Sequence, residues 1–184
     1  CGALSVPAPV VAHEDDDVRV ELVQRPVGVV AAITPWNFPV ILAQWKLIPA
    51  MIAGCTIVLK PSPYTPLSTL LLGKLYNECF PPGVVNILSG GNELGAWMTS
   101  HDAFDKVSFT GSVATGKKIR QVCAGTLKRL TLELGGNDPA IVLPGTDVKQ
   151  VAPKVFAGAF ANSGQVCSAI KRVYVHESQH AEFV

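Results

Sequence analysis

Between residues 27 and 136 short apolar runs alternate with amphipathic stretches, and that rhythm leaves few folds open. "VGVVAAIT" (27–34), "CTIVLKP" (55–61), "VVNILSG" (84–90), "KVSFTG" (106–111) and "RLTLELGG" (129–136) have the length and side-chain content of strands. Between them lie "FPVILAQWKLIPAMIAG", "TPLSTLLLGKLYNECF", "NELGAWMTS" and "VATGKKIRQVCAG", with helical spacing. Gly54 is expected to stop the first helix. Thr65 is expected to cap the second, with Pro66 in its first turn. Strands apolar on both faces, each followed by a helix, predict an α/β fold with a parallel sheet covered on both sides. In such a sheet ligands sit beyond the carboxyl ends of the strands. The informative residues are therefore in "PWN" (35–37), "KPSP" (60–63), "SGG" (89–91), "TGS" (110–112) and "ELGG" (133–136).

The flanks differ. Residues 1–26 read as an irregular segment: a solvated acidic run, Glu14 to Asp17, precedes "VRVELVQR", an exposed edge strand. From 137 to 184 a second α/β domain is expected to begin, with "PAIVLPG", a helix from about Val148 to Phe160, the turn "ANSGQVC" and the strand "KRVYVHE". Because the chain opens on Cys1 and stops at Val184 as a helix starts, it is expected to be an internal piece of a longer protein.

Charge and cysteine content narrow the function classes. A net charge of +1 offers no basic stripe for nucleic acid, and no run of 18 uncharged apolar residues exists to span a membrane. Charged residues make up 16% of the chain, against about 25% in an average protein, which predicts a surface partly covered by neighbours. Cys1, Cys55, Cys79, Cys123 and Cys167 show no paired spacing, so a reducing cytoplasm is the expected setting.

Two motifs mislead. "GSVATGKK" nearly matches the triphosphate-binding loop, but Lys118 stands where the magnesium-binding Ser or Thr belongs. "HESQH" (176–180) matches a zinc-protease pattern, yet His176 closes a strand and Ser178 is expected to cap the next helix, so the two rings diverge. Gly111 and Ser112 still offer amides, a hydroxyl and a helix N-terminus to some other phosphate. Cys167, in a turn, is placed to react; Cys55, Cys79 and Cys123 lie in apolar patterns where cysteine packs as a small core residue.

"TPWNFP" (34–39), "LKPSP" (59–63), "FTGSVATG" (109–116), "LELGGNDP" (132–139) and "FANSGQVC" (160–167) occur in the order and spacing of the aldehyde dehydrogenase superfamily, which the chain resembles from about residue 20 to 184. The resemblance implies a Rossmann-like NAD(P)-binding domain over 27–136 and the start of a catalytic domain over 137–184. It implies oxidation of an aldehyde to a carboxylic acid through a cysteine thiohemiacetal and thioester. Cys167 would be the nucleophile, Glu133 the base for the hydrolytic water and Asn37 an oxyanion donor with the cysteine N–H. Lys60, counted with this catalytic set, would also hold the adenosine ribose. Ile33, Thr34, Pro35, Trp36, Ser62, Pro63, Phe109, Thr110, Gly111, Ser112, Thr115, Leu134 and Gly135 would complete the cofactor site, with Ser112 and nearby amides on the pyrophosphate. NAD is the implied cofactor, NADP a possible one. Where many NAD-preferring relatives carry glutamate, this chain has Pro63. A homo-oligomer, dimer or tetramer, is implied. The 184 residues alone are expected to be inactive. A catalytically inactive relative that only binds cofactor or partners is the alternative, and the joint presence of Cys167, Glu133 and Asn37 weighs against it.

Overall fold

The computed structural model describes residues 8–184. Cys1 lies outside the described residues. Two compact units result, one ending at Glu133 and the other comprising Leu134–Val184. The chain thus divides three residues before the end of the expected strand-and-helix repeat.

In the first unit, β1 (Val10–Glu14) and β2 (Arg19–Leu22) form an antiparallel hairpin. The acidic run is its turn: the Asp15 carboxylate accepts from the amides of Asp17 and Val18 at 3.0 and 2.8 Å. The hairpin replaces the irregular segment with a single edge strand that the sequence led one to expect. Both of its faces are exposed, so "VVAHE" carries no clean alternation to announce a strand.

The main sheet holds β3 (Val29–Ile33), β4 (Thr56–Lys60), β5 (Val85–Ile87), β6 (Lys106–Thr110) and β7 (Arg129–Glu133). Its order is β5-β4-β3-β6-β7 and every pairing is parallel. The helices α1 (Pro39–Ile52) and α2 (Leu67–Cys79) pack together, as do α3 (Asn92–Ser100) and α4 (Val113–Ala124). Alternate strand residues divide between the two helical layers. Val30, Ala32, Ile57 and Leu59 join Ala43 and Leu47 of α1 in one buried cluster. Gly54, at φ +76°, ends α1 in the left-handed conformation that glycine adopts without strain. The cap expected at Thr65 is absent. Its hydroxyl donates instead to the Trp36 carbonyl at 3.3 Å, tying the loop after β4 to the loop after β3, and α2 starts without a side-chain cap.

The second unit contains β8 (Asp138–Val142) and β9 (Ile170–Val175), paired in parallel, with α5 (Val148–Phe160) as crossover and α6 (Glu177–Phe183) after β9. His176, not Ser178, caps α6: its Nδ1 accepts from the Ser178 amide at 3.3 Å. No group of three metal-ligating side chains occurs among the described residues, and no described helix is long and apolar enough to cross a membrane.

Candidate active site

The sheet order reverses between β3 and β6. The first crossovers run outward from β3 to β4 and β5, and the chain then returns to place β6 on the other side of β3. Loops after these strands splay apart there, which opens a crevice at the carboxyl ends. A cleft of about 800 Å³ occupies the place. Ile33, Thr34, Pro35, Trp36, Lys60, Ser62, Pro63, Phe109, Thr110, Gly111, Ser112 and Thr115 all line it, so the expected cofactor residues from the loops after β3, β4 and β6 share one cavity. Leu134 and Gly135 are not among its lining and belong to the second unit.

Lys60 ends β4 with its side chain buried, and its ammonium donates to the carbonyls of Gly90 and Pro61 at 2.9 and 3.1 Å. One of its three donor positions is left for a ligand. Burial holds its pKa below the ordinary lysine value. Thr34, next to it in space, donates its amide to the Lys60 carbonyl at 3.1 Å. The Thr34 hydroxyl is buried without a hydrogen-bond partner, an arrangement that is costly unless something in the cleft meets it.

The phosphate-type turn differs in detail from expectation. The Gly111 amide donates to the Glu133 carbonyl at 3.0 Å, prolonging the ladder between β6 and β7. A Cβ at Gly111 would stand 2.5 Å from Cζ of Phe109, so a larger residue there would have to displace that ring. The Ser112 hydroxyl is also engaged: it caps α4 by accepting from the Thr115 amide at 3.2 Å and donates to the Thr115 hydroxyl at 3.0 Å. The groups still open at this helix N-terminus are the amides of Val113 and Ala114 and the hydroxyl hydrogen of Thr115.

Several lining residues escape a reading that looks only at loops. Beyond Gly91, which belongs to the loop after β5 already singled out, Asn92, Gly95 and Ala96 of α3, with Lys118, Ile119 and Val122 of α4, form the far walls. Small residues four apart, Gly91 and Gly95, and the spacing 115, 118, 122 were the available signals. The lining includes Lys60 and Lys118 and not one carboxylate.

Asn37 lies half-buried in the loop between β3 and α1, and Glu133 is exposed at the end of β7. A residue missing from the expectation stands near Glu133. Lys46, on α1, is 6% exposed and donates to the Ser108 hydroxyl at 3.2 Å. Desolvation lowers its pKa to about 8, the Glu133 carboxylate pulls it upward and Lys106 adds to the lowering. A lysine inside the apolar pattern "QWKLIP" was the sequence clue.

In the second unit Cys167 is exposed in the turn between α5 and β9. A 3₁₀ turn, Ala161–Gly164, delivers the chain to it. Asn162, Ser163 and Gly164 are consecutively left-handed, at φ 49°, 57° and 76°, a conformation that glycine and asparagine tolerate and serine adopts less readily. After the cysteine, the Ala169 amide donates to the Val166 carbonyl at 3.1 Å, closing the turn.

A parallel, doubly covered sheet with a carboxylate-free switch-point cleft defines a nucleotide-cofactor-binding class of protein. The sequence profile of the Aldehyde dehydrogenase family matches residues 5–184. A chloroplastic betaine aldehyde dehydrogenase of Beta vulgaris is 48% identical over 165 residues, covering 89% of this chain and 33% of its own. The NAD+ complex of an aldehyde dehydrogenase from Bacillus cereus superposes with a TM-score of 0.92 at 43% identity, over 96% of this chain and 36% of its own. An NADP-dependent enzyme of E. coli does so with a TM-score of 0.89 at 39% identity, over 96% and 37%. The chain belongs to the aldehyde dehydrogenase family, and it spans about a third of the length of the relatives it matches.

Proposed function

We propose that the whole protein oxidises an aldehyde to a carboxylic acid, with NAD as hydride acceptor and Cys167 as nucleophile. The observation that carries this reading is the cleft, where three loops bring a buried unpartnered hydroxyl, a lysine with a spare donor and a helix N-terminus to one carboxylate-free cavity. A dinucleotide fits these residues. Lys60 would donate to the ribose hydroxyls, and the Val113 and Ala114 amides with the Thr115 hydroxyl would hold the pyrophosphate. The Thr34 hydroxyl would gain its missing partner.

The Cys167 thiolate adds to the aldehyde carbon, forming a C–S bond and moving the negative charge to oxygen. The Asn37 side-chain amide and the Cys167 N–H donate to that oxygen. When bound, the dinucleotide supplies the hydride acceptor whose action turns the adduct into a thioester. Glu133 then takes a proton from water as the water oxygen attacks the thioester carbon. The C–S bond breaks and the thiolate is restored. Phe38, Ile41 and Trp45 follow Asn37 at helical spacing with exposed side chains, an apolar surface suited to the hydrocarbon part of the aldehyde. The test is reduction of NAD by the whole protein with a panel of aldehydes. Cofactor binding without reduction by any aldehyde would favour the inactive relative.

Discrimination between the two dinucleotides is expected to be weak. Proline at 63 supplies neither an acceptor for the ribose hydroxyls nor a charge against a 2′-phosphate, and the charged residues of the lining are Lys60 and Lys118, both positive. The ratio of kcat/KM for NAD and NADP should lie within about tenfold, on the order of 1–2 kcal/mol. A strong NAD preference, unmoved in Pro63→Glu, would show that another residue does the excluding.

Assembly as a homo-oligomer is part of the same proposal, supported by the exposed valines on the β1–β2 hairpin and checked by light scattering of the whole protein. A reducing, cytoplasmic setting is supported by free Cys55, Cys79, Cys123 and Cys167. Localisation of the tagged whole protein decides it, since the Beta vulgaris relative is named chloroplastic.

A further inference from the structure

We propose that Gly136 is a positioning residue for the nucleophile: its missing side chain is the space into which the main chain of Cys167 is seated. The proposal rests on Cys167 being the nucleophile. Both residues belong to the second unit. A Cβ on Gly136 would stand 2.7 Å from the Cys167 carbonyl oxygen and 2.5 Å from Oδ1 of Asp138. The neighbouring glycine is different, for a Cβ on Gly135 would meet nothing within 4 Å. Of the paired glycines in "ELGG", only the second is a socket.

The two crowding oxygens are not equivalent. The Asp138 carboxylate can rotate away, whereas the Cys167 carbonyl is main chain and moves only with its own residue. A methyl group needs about 3.5 Å, so the nucleophile's backbone would shift by on the order of half an ångström or more. The loop has little means of absorbing that shift. Upstream, Asn162 to Gly164 already occupy three left-handed conformations in succession. Downstream, Ala169 is buried and Ile170 enters β9 in register with Asp138. Displacement therefore falls on Cys167 itself, and misplacing a reacting atom by about an ångström costs roughly a hundredfold.

The experiment is Gly136→Ala in the whole protein. Its readouts are the rate and pH profile of iodoacetamide alkylation at Cys167, resolved by peptide mass spectrometry, together with kcat and dinucleotide affinity. Alkylation should slow by about fivefold or more with a displaced pH profile, and kcat should fall roughly 10- to 100-fold. Dinucleotide Kd should stay within about twofold, because every residue lining the cleft lies in the first unit. The double variant Gly136→Ala with Asp138→Ala removes the carboxylate clash and keeps the carbonyl clash. It should remain slow, and it serves where the single variant accumulates poorly. Wild-type alkylation in Gly136→Ala, or its restoration in the double variant, overturns the proposal. Retained aldehyde oxidation in Cys167→Ala would instead overturn the choice of nucleophile, whatever alkylation shows.

Discussion

Cys167→Ala is expected to remove aldehyde-dependent reduction of the dinucleotide, a loss of at least about 10⁴-fold, because the proposed covalent adduct needs its thiolate. Cys123→Ala is the matching control. That thiol is buried in α4, 3.9 Å from the Thr99 carbonyl, and burial pushes its pKa up, so it packs as a small apolar residue. Glu133→Gln separates the later step from the earlier one. A burst of reduced cofactor should persist and the steady rate after it should fall, since the amide can no longer take the water proton. Equal loss of burst and steady rate would remove Glu133 from the role of hydrolytic base, and full activity in Cys167→Ala would end the cysteine mechanism.

What the residues announced in advance follows from how local each signal is. The five strands of the main sheet were legible because helices cover both faces, which fills β3 and β4 with apolar residues, and because β5, β6 and β7 keep shorter apolar stretches between helical segments. The strand Val10–Glu14 was not, since an exposed strand has no face to mark. Loop residues lining the cleft could be named because ligand sites in parallel sheets follow strand ends. The α3 and α4 walls could not, as their approach depends on how two helices pack across β3 and β6. The Gly111 amide and the Ser112 hydroxyl were assigned to a phosphate although both are used by the protein, one in the sheet ladder and one as a helix cap. Motif matching says which atoms exist at a turn, and only the fold says which of them are already engaged.

Lys46→Met is expected to make the protein more stable. The folded protein binds the Lys46 proton with a pKa of about 8, against 10.5 for the ordinary side chain. Above pH 8 the unfolded state therefore holds more protons than the folded state, and stability rises with pH until about 10.5. Below pH 8 the folded state carries the whole penalty of a buried charge, about 3 kcal/mol at most for a shift of this size. Among the described residues Ser108 is its one hydrogen-bond partner, at 3.2 Å, which is thin compensation for a buried ammonium. Methionine has similar volume and no charge, so stability at pH 7 should rise by roughly 1–3 kcal/mol and the gain should shrink as pH climbs from 8 to 10.5. Urea denaturation of both proteins across this pH range makes the comparison. A variant less stable than wild type at pH 7, with the pH slope unchanged, would mean that the lysine is held by contacts strong enough to outweigh its burial and that its proton is not released near pH 8.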